Sequence, residues 1–345
     1  MSRVLVTGGA GFIGSHFIRS WLARHPSDAV VTLDLLTYAG SRERLAEPER
    51  SGRVRFIQGD VCDAGAVRKA MDGAEVVIHF AAETHVDRSI TNAAPFLRTN
   101  VEGAYTLLAQ ARAQGIGRLV HISTDEVYGP VLEGLVDERA PLAPSSPYAA
   151  SKAAGDLLVQ AFRSTYGVPA VIVRPTNIFG PAQFPEKFIP LCIINGLEGR
   201  PIPVYGDGRQ RRGWLHVDDL CEALELIITR GQPGETYNVA GGCEQANLDT
   251  AKLILAKTGC STELITFVAD RPGHDRRYAM DDAKLQALGW RPHRSFEEAL
   301  AQTVAWYREH AAWWRPLVER LREDPYHWLN RSARPGDQPS ACAVR

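Results

Sequence analysis

The chain has 345 residues, with 39 Lys or Arg and 40 Asp or Glu side chains, so its formal net charge is −1. This balance offers no excess of basic residues to a polyanion, and no apolar run approaches the roughly 20 residues that span a bilayer. We therefore expect neither nucleic acid nor a membrane as a partner. The six cysteines are scattered without a close pair, which favours reduced thiols in a cytoplasmic protein and predicts no metal site.

Short β-branched runs alternate with amphipathic helical patterns through the first half of the chain. This alternation predicts an α/β fold built on a Rossmann-type, doubly wound parallel sheet. The runs are apolar at nearly every position, as is typical of strands that are covered on both faces. The predicted strands are residues 4–6, 30–33, 54–57, 76–80, 119–122 and 170–173, and the clearest helical patterns are residues 103–114, 149–165 and 296–314.

The regular alternation stops near residue 180, where five prolines fall between residues 181 and 203. We predict a dinucleotide-binding domain in residues 1–180, to which some later segments return. Residues 181–330 are predicted to form mainly a smaller, mixed α/β lobe. Residues 331–345 are small, polar and proline-bearing, which predicts a disordered tail.

A glycine-rich turn follows the first predicted strand and precedes a helical pattern. Gly8, Gly11 and Gly14 allow a tight turn, a close approach of the backbone to a pyrophosphate, and close packing of helix on strand. Asp34 closes the second strand twenty positions after Gly14, where a carboxylate binds the ribose hydroxyls of a dinucleotide. Because that carboxylate repels a 2′-phosphate, the pattern predicts NAD rather than NADP; the alternative is a purely structural turn. Asp60 is a candidate partner for the adenine amino group, or else an ordinary loop aspartate.

Tyr148 and Lys152 are four residues apart, so they share one face of a predicted helix. A neighbouring ammonium favours the phenolate, and the pair therefore predicts a tyrosine whose pKa is lowered toward neutral pH. Thr124, Asp125 and Glu126 follow an apolar strand, and open α/β sheets bind ligands at the carboxyl ends of their strands. We expect these five side chains to converge; an exposed helical pair and two solvated carboxylates are the alternatives.

Longer runs of sequence resemble a known family. They are Thr-Gly-x-x-Gly-x-x-Gly at 7–14, Thr-Asp-Glu-Val-Tyr-Gly at 124–129, Tyr-x-x-x-Lys at 148–152, and the runs 36–40, 81–89, 183–187, 204–208 and 270–278. With them, roughly residues 3–315 resemble the extended short-chain dehydrogenases/reductases that act on nucleotide sugars, and within these most of all the dTDP-glucose 4,6-dehydratases.

The resemblance implies a reaction in three stages. Tyr148 would remove the proton of the sugar 4-OH while a hydride passes from C4 to NAD; Thr124 would bond the same oxygen and Lys152 the nicotinamide ribose. Glu126 would then abstract the C5 proton, and a protonated Asp125 would protonate the departing 6-OH. The hydride would finally return to C6. Two adjacent carboxylates suit this chemistry, because like charge raises one of their pKa values and keeps that group an acid.

The resemblance also implies the residues that surround the cofactor and the nucleotide-diphosphate sugar, and it implies a homodimer formed through helices at 103–114 and 149–165. The implied cofactor-binding residues are Gly8, Gly11, Phe12, Ile13, Gly14, Asp34, Thr37, Asp60, Val61, Ala81, Ala82, Tyr148 and Lys152. The implied substrate-binding residues are Thr84, His85, Thr124, Asn177, Lys187, Tyr205, Arg212, Asn238, Arg271 and His274.

The sequence departs from the dehydratase pattern at three places. Residues 174–179 read Arg-Pro-Thr-Asn-Ile-Phe where Arg-Cys-Ser-Asn-Asn-Tyr is expected, Ala182 replaces a Tyr, and Gly213 replaces an Asp. The first stretch is closer to the related 4-epimerases and decarboxylases. A 4-epimerase is therefore one alternative function, although it has no need of Asp125 and Glu126 for water loss. A non-catalytic NAD-binding regulator is a remoter one, since it could dispense with the Tyr or the Lys.

Overall fold

The computed structural model describes residues 2–323. Its strands are β1 (Arg3–Thr7), β2 (Ala29–Asp34), β3 (Val54–Gln58), β4 (Val76–His79), β5 (Arg118–Ile122), β6 (Ala170–Pro175), β7 (Asn177–Phe179), β8 (Ile202–Tyr205), β9 (Arg211–His216), β10 (Thr236–Val239), β11 (Glu244–Ala246) and β12 (Ile265–Val268). Its α-helices are α1 (Phe12–Arg24), α2 (Ala46–Arg50), α3 (Ala64–Met71), α4 (Val86–Thr91), α5 (Ala94–Phe96), α6 (Gly103–Gln114), α7 (Pro147–Tyr166), α8 (Phe188–Leu197), α9 (Val217–Arg230), α10 (Asn247–Thr258), α11 (Ala283–Ala287), α12 (Phe296–Glu309) and α13 (Ala311–Glu323).

The main layer is a seven-stranded sheet in the order β10-β6-β5-β4-β1-β2-β3, with every neighbouring pair parallel. The order reverses between β1 and β4, which is the switch point where doubly wound sheets bind their ligands. This arrangement confirms the fold class predicted from the alternation of strands and helices.

Each face of the sheet has its own apolar core. Successive side chains of a strand point to opposite faces, and in β1 Val4 and Val6 enter one core while Leu5 enters the other. The first core packs the sheet against α1 and α9, and the second packs it against α3, α6 and α7. The buried strands are therefore apolar throughout because helices cover both faces.

A second group of elements lies on the carboxyl side of the sheet. It contains a three-stranded sheet in the order β11-β9-β7 and a parallel pair of β8 and β12, packed against α8, α10 and α12 around a separate apolar core. Between these segments the chain returns to the main layer, where α9 packs on α1 and β10 pairs with β6. The second group therefore stands over the switch point and contributes side chains to it.

The helical pattern over 296–314 corresponds to two helices. The first, α12, ends at Glu309, and His310 leaves helical geometry with φ −110° and ψ 39°. The His310 ring stacks on Trp306 with 4.3 Å between ring centroids, and α13 starts directly afterwards. The tail predicted to be disordered, residues 331–345, lies outside the described residues. Within residues 2–323, none of the helices is both long and apolar enough to traverse a bilayer.

Candidate active site

A cavity of about 320 Å³ opens at the carboxyl ends of the central strands. All of the predicted cofactor-binding residues and all five predicted catalytic residues line it. Of the predicted substrate residues, it is also lined by Thr84, Thr124, Asn177 and Lys187. The fold therefore brings together, in one concave site, segments that are more than 170 residues apart in the chain.

The glycine-rich turn forms the floor of this cavity. Gly8 has φ +71°, and a Cβ added there would stand 2.6 Å from the backbone nitrogen of Ala81. A Cβ at Gly14 would stand 2.3 Å from the carbonyl oxygen of Gly8. Gly11 caps α1 without a side-chain hydrogen bond, so the first N–H groups of the helix remain directed at the cavity. The turn thus offers backbone donors and a positive helix end where a pyrophosphate would bind.

Asp34 and Asp60 lie along the side of the cavity that the first three strands form. The buried Asp34 carboxylate accepts hydrogen bonds from the backbone N–H groups of Ala10 (2.9 Å) and Leu36 (2.8 Å). A carboxylate has about four acceptor positions, so its outward lone pairs remain available to ribose hydroxyls. Asp60 accepts from Arg98 at 2.7 Å, so part of its capacity is already used in an ion pair.

A short 3₁₀ turn (Asp125–Tyr128) follows β5 and carries the acidic pair into the cavity. Thr124 caps this turn: its Oγ1 accepts from the Glu126 N–H at 3.3 Å and donates to the Asp125 carboxylate at 3.2 Å. The Thr176 hydroxyl donates to the other Asp125 oxygen at 3.1 Å. All four side chains are at most 9% exposed. The carboxylates are consequently buried and fixed, and they are not solvated loop residues.

Tyr148 and Lys152 enter the same cavity from the first turns of α7. Ser146 caps this helix, Pro147 occupies its first position, and the Tyr148 N–H donates to the Ser89 hydroxyl at 3.1 Å. The Lys152 ammonium donates to the carbonyl of Ile122 at 2.6 Å, which ties the helix to the end of β5. Burial lowers the pKa of Lys152 to about 8.

The environments of the two carboxylates differ. Burial, reinforced by the Glu126 charge, raises the pKa of Asp125 to about 7. Burial also raises the pKa of Glu126, but three cations oppose this effect: Arg271, Arg212 and Lys187. Near neutral pH, Asp125 can therefore carry a proton while Glu126 is held toward its ionised form. One buried acid beside one buried base is the arrangement that proton transfer at two neighbouring atoms requires.

The pKa of Tyr148 shifts in the direction opposite to the one expected from sequence. Burial and the adjacent Glu126 charge raise it, although a hydrogen bond with Thr124 opposes the shift. The spacing to Lys152 indicates a shared helix face, but desolvation of the phenol decides the direction in which its pKa shifts.

The predicted cations of the substrate side lie at the outer part of the site. Lys187 caps α8 and donates to the Thr84 carbonyl at 2.9 Å. The Arg212 guanidinium lies over the Tyr278 ring at 4.3 Å and donates to the Asp275 carbonyl. Arg271 donates to Asp87 at 3.0 Å.

Two more predicted substrate residues, Tyr205 and His274, lie near Arg271. The Tyr205 hydroxyl donates to Asp87 at 2.7 Å, and the His274 ring meets the Tyr205 ring edge-on at 5.7 Å. His85 is buried, and burial lowers its pKa. The charge of Glu186 opposes this shift, and the charge of Lys187 adds to it. The structure therefore gathers these three residues beside the cations, although they do not line the cavity itself.

Asn238 is the exception. It lies in β10 and is fully buried; its side-chain oxygen accepts from the Tyr128 hydroxyl, and its nitrogen donates to the carbonyls of Val136 and Asp281. It does not line the cavity. Because its polar atoms are engaged in joining β10 to neighbouring loops, we assign Asn238 to the packing of the sheet and not to the substrate site.

Several residues that line the cavity were not predicted from sequence, and two of them make polar contacts within the site. Glu186 is 4% exposed and accepts hydrogen bonds from Tyr38 (2.6 Å) and Arg88 (3.2 Å). It belongs to the run 183–187 that carried the resemblance, so the signal was present but was used for Lys187 alone. Thr176 contacts Asp125 across 51 residues of sequence, and a pattern of spacing offers no signal for such a contact.

Comparisons with known proteins agree with this geometry. A family model described as GDP-mannose 4,6 dehydratase matches residues 5–303. A dTDP-glucose 4,6-dehydratase of Streptomyces niveus is 49% identical over 320 residues, covering 91% of this chain and 95% of the relative. A dTDP-glucose 4,6-dehydratase of Neisseria meningitidis is 47% identical over 92% of this chain and 96% of the relative.

Solved structures give the same result. The structure of DesIV, a dTDP-glucose 4,6-dehydratase of Streptomyces venezuelae with NAD bound, superposes with a TM-score of 0.90 at 49% identity, covering 91% of this chain and 99% of that one. A UDP-glucose 4-epimerase of Thermus thermophilus in complex with NAD superposes with a TM-score of 0.83 at 33% identity, covering 89% of this chain and 99% of that one. These findings confirm the resemblance inferred from the motifs.

Proposed function

Because this chain belongs to the GDP-mannose 4,6 dehydratase family, we propose that it is an NAD-dependent hydro-lyase acting on a nucleotide-activated glucose, dTDP-glucose in particular. The product is the corresponding 4-keto-6-deoxyglucose. The observation that carries this proposal is the buried pair of Asp125 and Glu126, one with a pKa of about 7 and the other opposed by three cations. A 4-epimerase has no use for such a pair.

The residues of the glycine-rich turn fit NAD. Gly8 lets the turn pack closely on the backbone of Ala81, and the start of α1 presents free N–H groups. Asp34 offers a buried carboxylate to a ribose and a repulsive charge to a 2′-phosphate. Lys152 would hold the nicotinamide ribose, and Asp60 would lie beside the adenine. When bound, NAD supplies a hydride acceptor for C4 of the sugar and later a hydride donor for C6.

Tyr148 acts first, as the acceptor of the proton of the sugar 4-OH. Thr124, which shares a hydrogen bond with the phenol, holds the same sugar oxygen and fixes its direction. The phenol must be ionised to take this proton. Burial raises its pKa, and the hydrogen bond with Thr124 opposes that rise. The result of this step is a ketone at C4, which acidifies the hydrogen on C5.

Asp125 and Glu126 carry out the elimination. The Glu126 carboxylate takes the C5 proton, the C6–O bond breaks, and Asp125 gives its proton to the departing oxygen, so that one water leaves. After C6 has received the hydride, Glu126 returns its proton to C5. Tyr148 has then gained one proton and Asp125 has lost one, so a net transfer of one proton resets the site.

The cations of the outer site hold the diphosphate and keep the intermediate bound. Arginine suits forked contacts to phosphate oxygens. Arg212 is buried and donates to the Asp275 carbonyl, and Arg271, whose side chain is 18% exposed, pairs with the Asp87 carboxylate. The same cations favour the ionised form of Glu126, so substrate binding and base strength depend on shared groups. The other substrate contacts in the proposal are Thr84, His85, Asn177, Lys187, Tyr205 and His274.

The test is an anaerobic incubation of the purified protein with dTDP-glucose, with UDP-glucose and GDP-mannose in parallel, followed by mass spectrometry. We expect loss of one water from dTDP-glucose. Asp125→Asn should form much less dehydrated product, while Asp137→Asn, at a carboxylate that is 38% exposed, should behave as the parent protein. An isomer of unchanged mass would indicate a 4-epimerase and contradict the proposal, as would no turnover of any of the three.

The proposal includes a homodimer in the cytoplasm. α6 and α7 pack side by side and expose Tyr105 (52%), Leu157 (57%) and Tyr166 (47%), an apolar surface that a second copy of the same helix pair would cover. The cysteines within the described residues are all free thiols, as expected for a reducing compartment.

A further inference from the structure

We propose that Thr176 is a positioning residue that holds the Asp125 carboxyl in place for proton delivery, and that Gly213 is required because it leaves the space that the Thr176 hydroxyl occupies. This inference rests on the proposed function, in which Asp125 is the acid of the elimination. It concerns two positions at which the sequence departs from the dehydratase pattern.

Hydrogen bonds hold the Asp125 carboxyl group from two sides. Its two carboxyl oxygens are held by two different threonines: Thr124 donates to Oδ1 at 3.2 Å and Thr176 donates to Oδ2 at 3.1 Å. Asp125 is 3% exposed and Thr176 is 7% exposed, so water has little access to replace either bond. A hydroxyl can donate to the ionised carboxylate and accept from the protonated acid, so the same contact serves Asp125 before and after it gives up its proton.

The backbone of Thr176 is itself fixed by neighbouring strands. It lies between β6 and β7, and its N–H donates to the Val239 carbonyl at 3.0 Å, which fixes its backbone against β10. In the parallel register of β7 and β9, Asn177 pairs with Trp214, so Thr176 faces Gly213. Its side chain therefore lies between the acid and the backbone of β9.

Gly213 leaves the space beside the Thr176 side chain open. A Cβ added there would stand 2.4 Å from the Thr176 hydroxyl oxygen and 3.3 Å from its Cβ, and the three nearest atoms all belong to Thr176. Gly213 does not have a positive φ, so its backbone would accept a side chain without strain. What excludes a side chain at this position is the threonine hydroxyl in its bond to Asp125.

The charges around Asp125 define what loss of this bond would do. Burial and the Glu126 charge raise the pKa of Asp125, whereas Arg212 and the hydrogen bonds from Thr176 and Thr124 lower it. Tyr148 also faces Asp125 and Glu126. Removing the Thr176 hydroxyl withdraws a bond that favours the ionised form. The acid would hold its proton more tightly and would be free to turn away from the 6-OH.

The experiment compares Thr176→Val with Thr176→Ser in the elimination step. We expect Thr176→Val to lower kcat for water loss about tenfold with little change in KM, and to move the alkaline limb of the kcat profile up by about half to one pH unit. Formation of reduced nicotinamide in a single turnover should be unaffected, because Tyr148 and not Asp125 serves that step. Thr176→Ser, which keeps the hydroxyl, should restore the position of the alkaline limb.

A second pair of variants tests the space independently. Gly213→Ala should displace the threonine hydroxyl and give the Thr176→Val effects, whereas in a Thr176→Ala background the same glycine substitution should add little. An unshifted alkaline limb in Thr176→Val, or a loss of kcat that serine does not rescue, would overturn the inference. So would equal costs of Gly213→Ala in both backgrounds. Failure of the parent protein to dehydrate any nucleotide sugar would instead refute the proposed function.

Discussion

The two halves of the cavity recognise their ligands by different physical means. The half built by β1, β2 and α1 relies on shape: Gly8 approaches the backbone of Ala81, helix N–H groups face inward, and Asp34 provides a formal charge. The half built by the 125–128 turn and the second lobe relies on buried charge, with carboxylates and guanidinium groups packed close together. Added atoms should therefore damage the first half, and removed charges should damage the second.

The largest effect should come from Glu126→Gln, in the charged half. The amide preserves the shape of the side chain but cannot take the C5 proton, so dehydration should fall by about 10²–10⁴-fold. Oxidation at C4 should persist, and absorbance of reduced nicotinamide should appear on addition of substrate. The exposed Glu133→Gln serves as the control. Dehydration at the parent rate would mean that Glu126 is not the base.

The next effect should come from Gly8→Ala, in the half that depends on shape. Its Cβ would stand 2.6 Å from the Ala81 nitrogen, so NAD affinity measured by calorimetry should fall at least about tenfold. Gly52→Ala is a matched control, because Gly52 has a similar φ of +73° with nothing within 4 Å. It should cost about 1 kcal/mol of unfolding free energy and leave NAD affinity unchanged. Equal NAD affinities in the two variants would contradict the role of close approach.

Arg271→Ala should have a smaller effect, and the effect has two parts. Loss of a charged contact should raise KM for the nucleotide sugar about tenfold. Burial raises the pKa of Glu126, and Arg271 opposes that shift, so its removal should raise this pKa further. Because Glu126 acts in its ionised form, activity is lost as pH falls through that pKa, and the acidic limb should move to higher pH. Arg276→Ala, which breaks an exposed pair with Asp207, should do neither.

The smallest effect on chemistry should come from Leu157→Glu, outside both halves. A charge on the exposed α6–α7 surface should convert the dimer to a monomer in light scattering at micromolar concentration, with a modest change in kcat. Leu132→Glu, at another exposed leucine (69%), should leave the dimer intact. A monomeric parent protein would contradict the proposed assembly.

The half that depends on shape could be predicted almost completely from sequence. Residues 7–14 are contiguous, and Asp34 ends the strand that pairs directly with β1, so local spacing fixes their geometry. The parallel sheet was predictable for the same reason, since each apolar run and each helical pattern is a local feature.

The charged half was predictable only in part. Thr124, Asp125 and Glu126 were found because they follow a strand, but the Thr176 contact with Asp125 joins segments 51 residues apart. The raised Tyr148 pKa depends on burial, which is a property of the whole fold, and the spacing to Lys152 cannot report it. Asn238 was chosen through resemblance, yet its polar atoms are engaged by loop carbonyls and Tyr128.

The most direct test of the account follows the hydride. The substrate is dTDP-glucose deuterated at C4, and the label is located in the product by NMR or mass fragmentation. If the charged half retains the intermediate through Arg212 and Arg271 while Asp125 and Glu126 remove water, deuterium should appear at C6 of the same sugar molecule. It should neither exchange into solvent nor cross over between differently labelled substrates. Deuterium found again at C4, with the oxygen inverted, would contradict the account and identify a 4-epimerase.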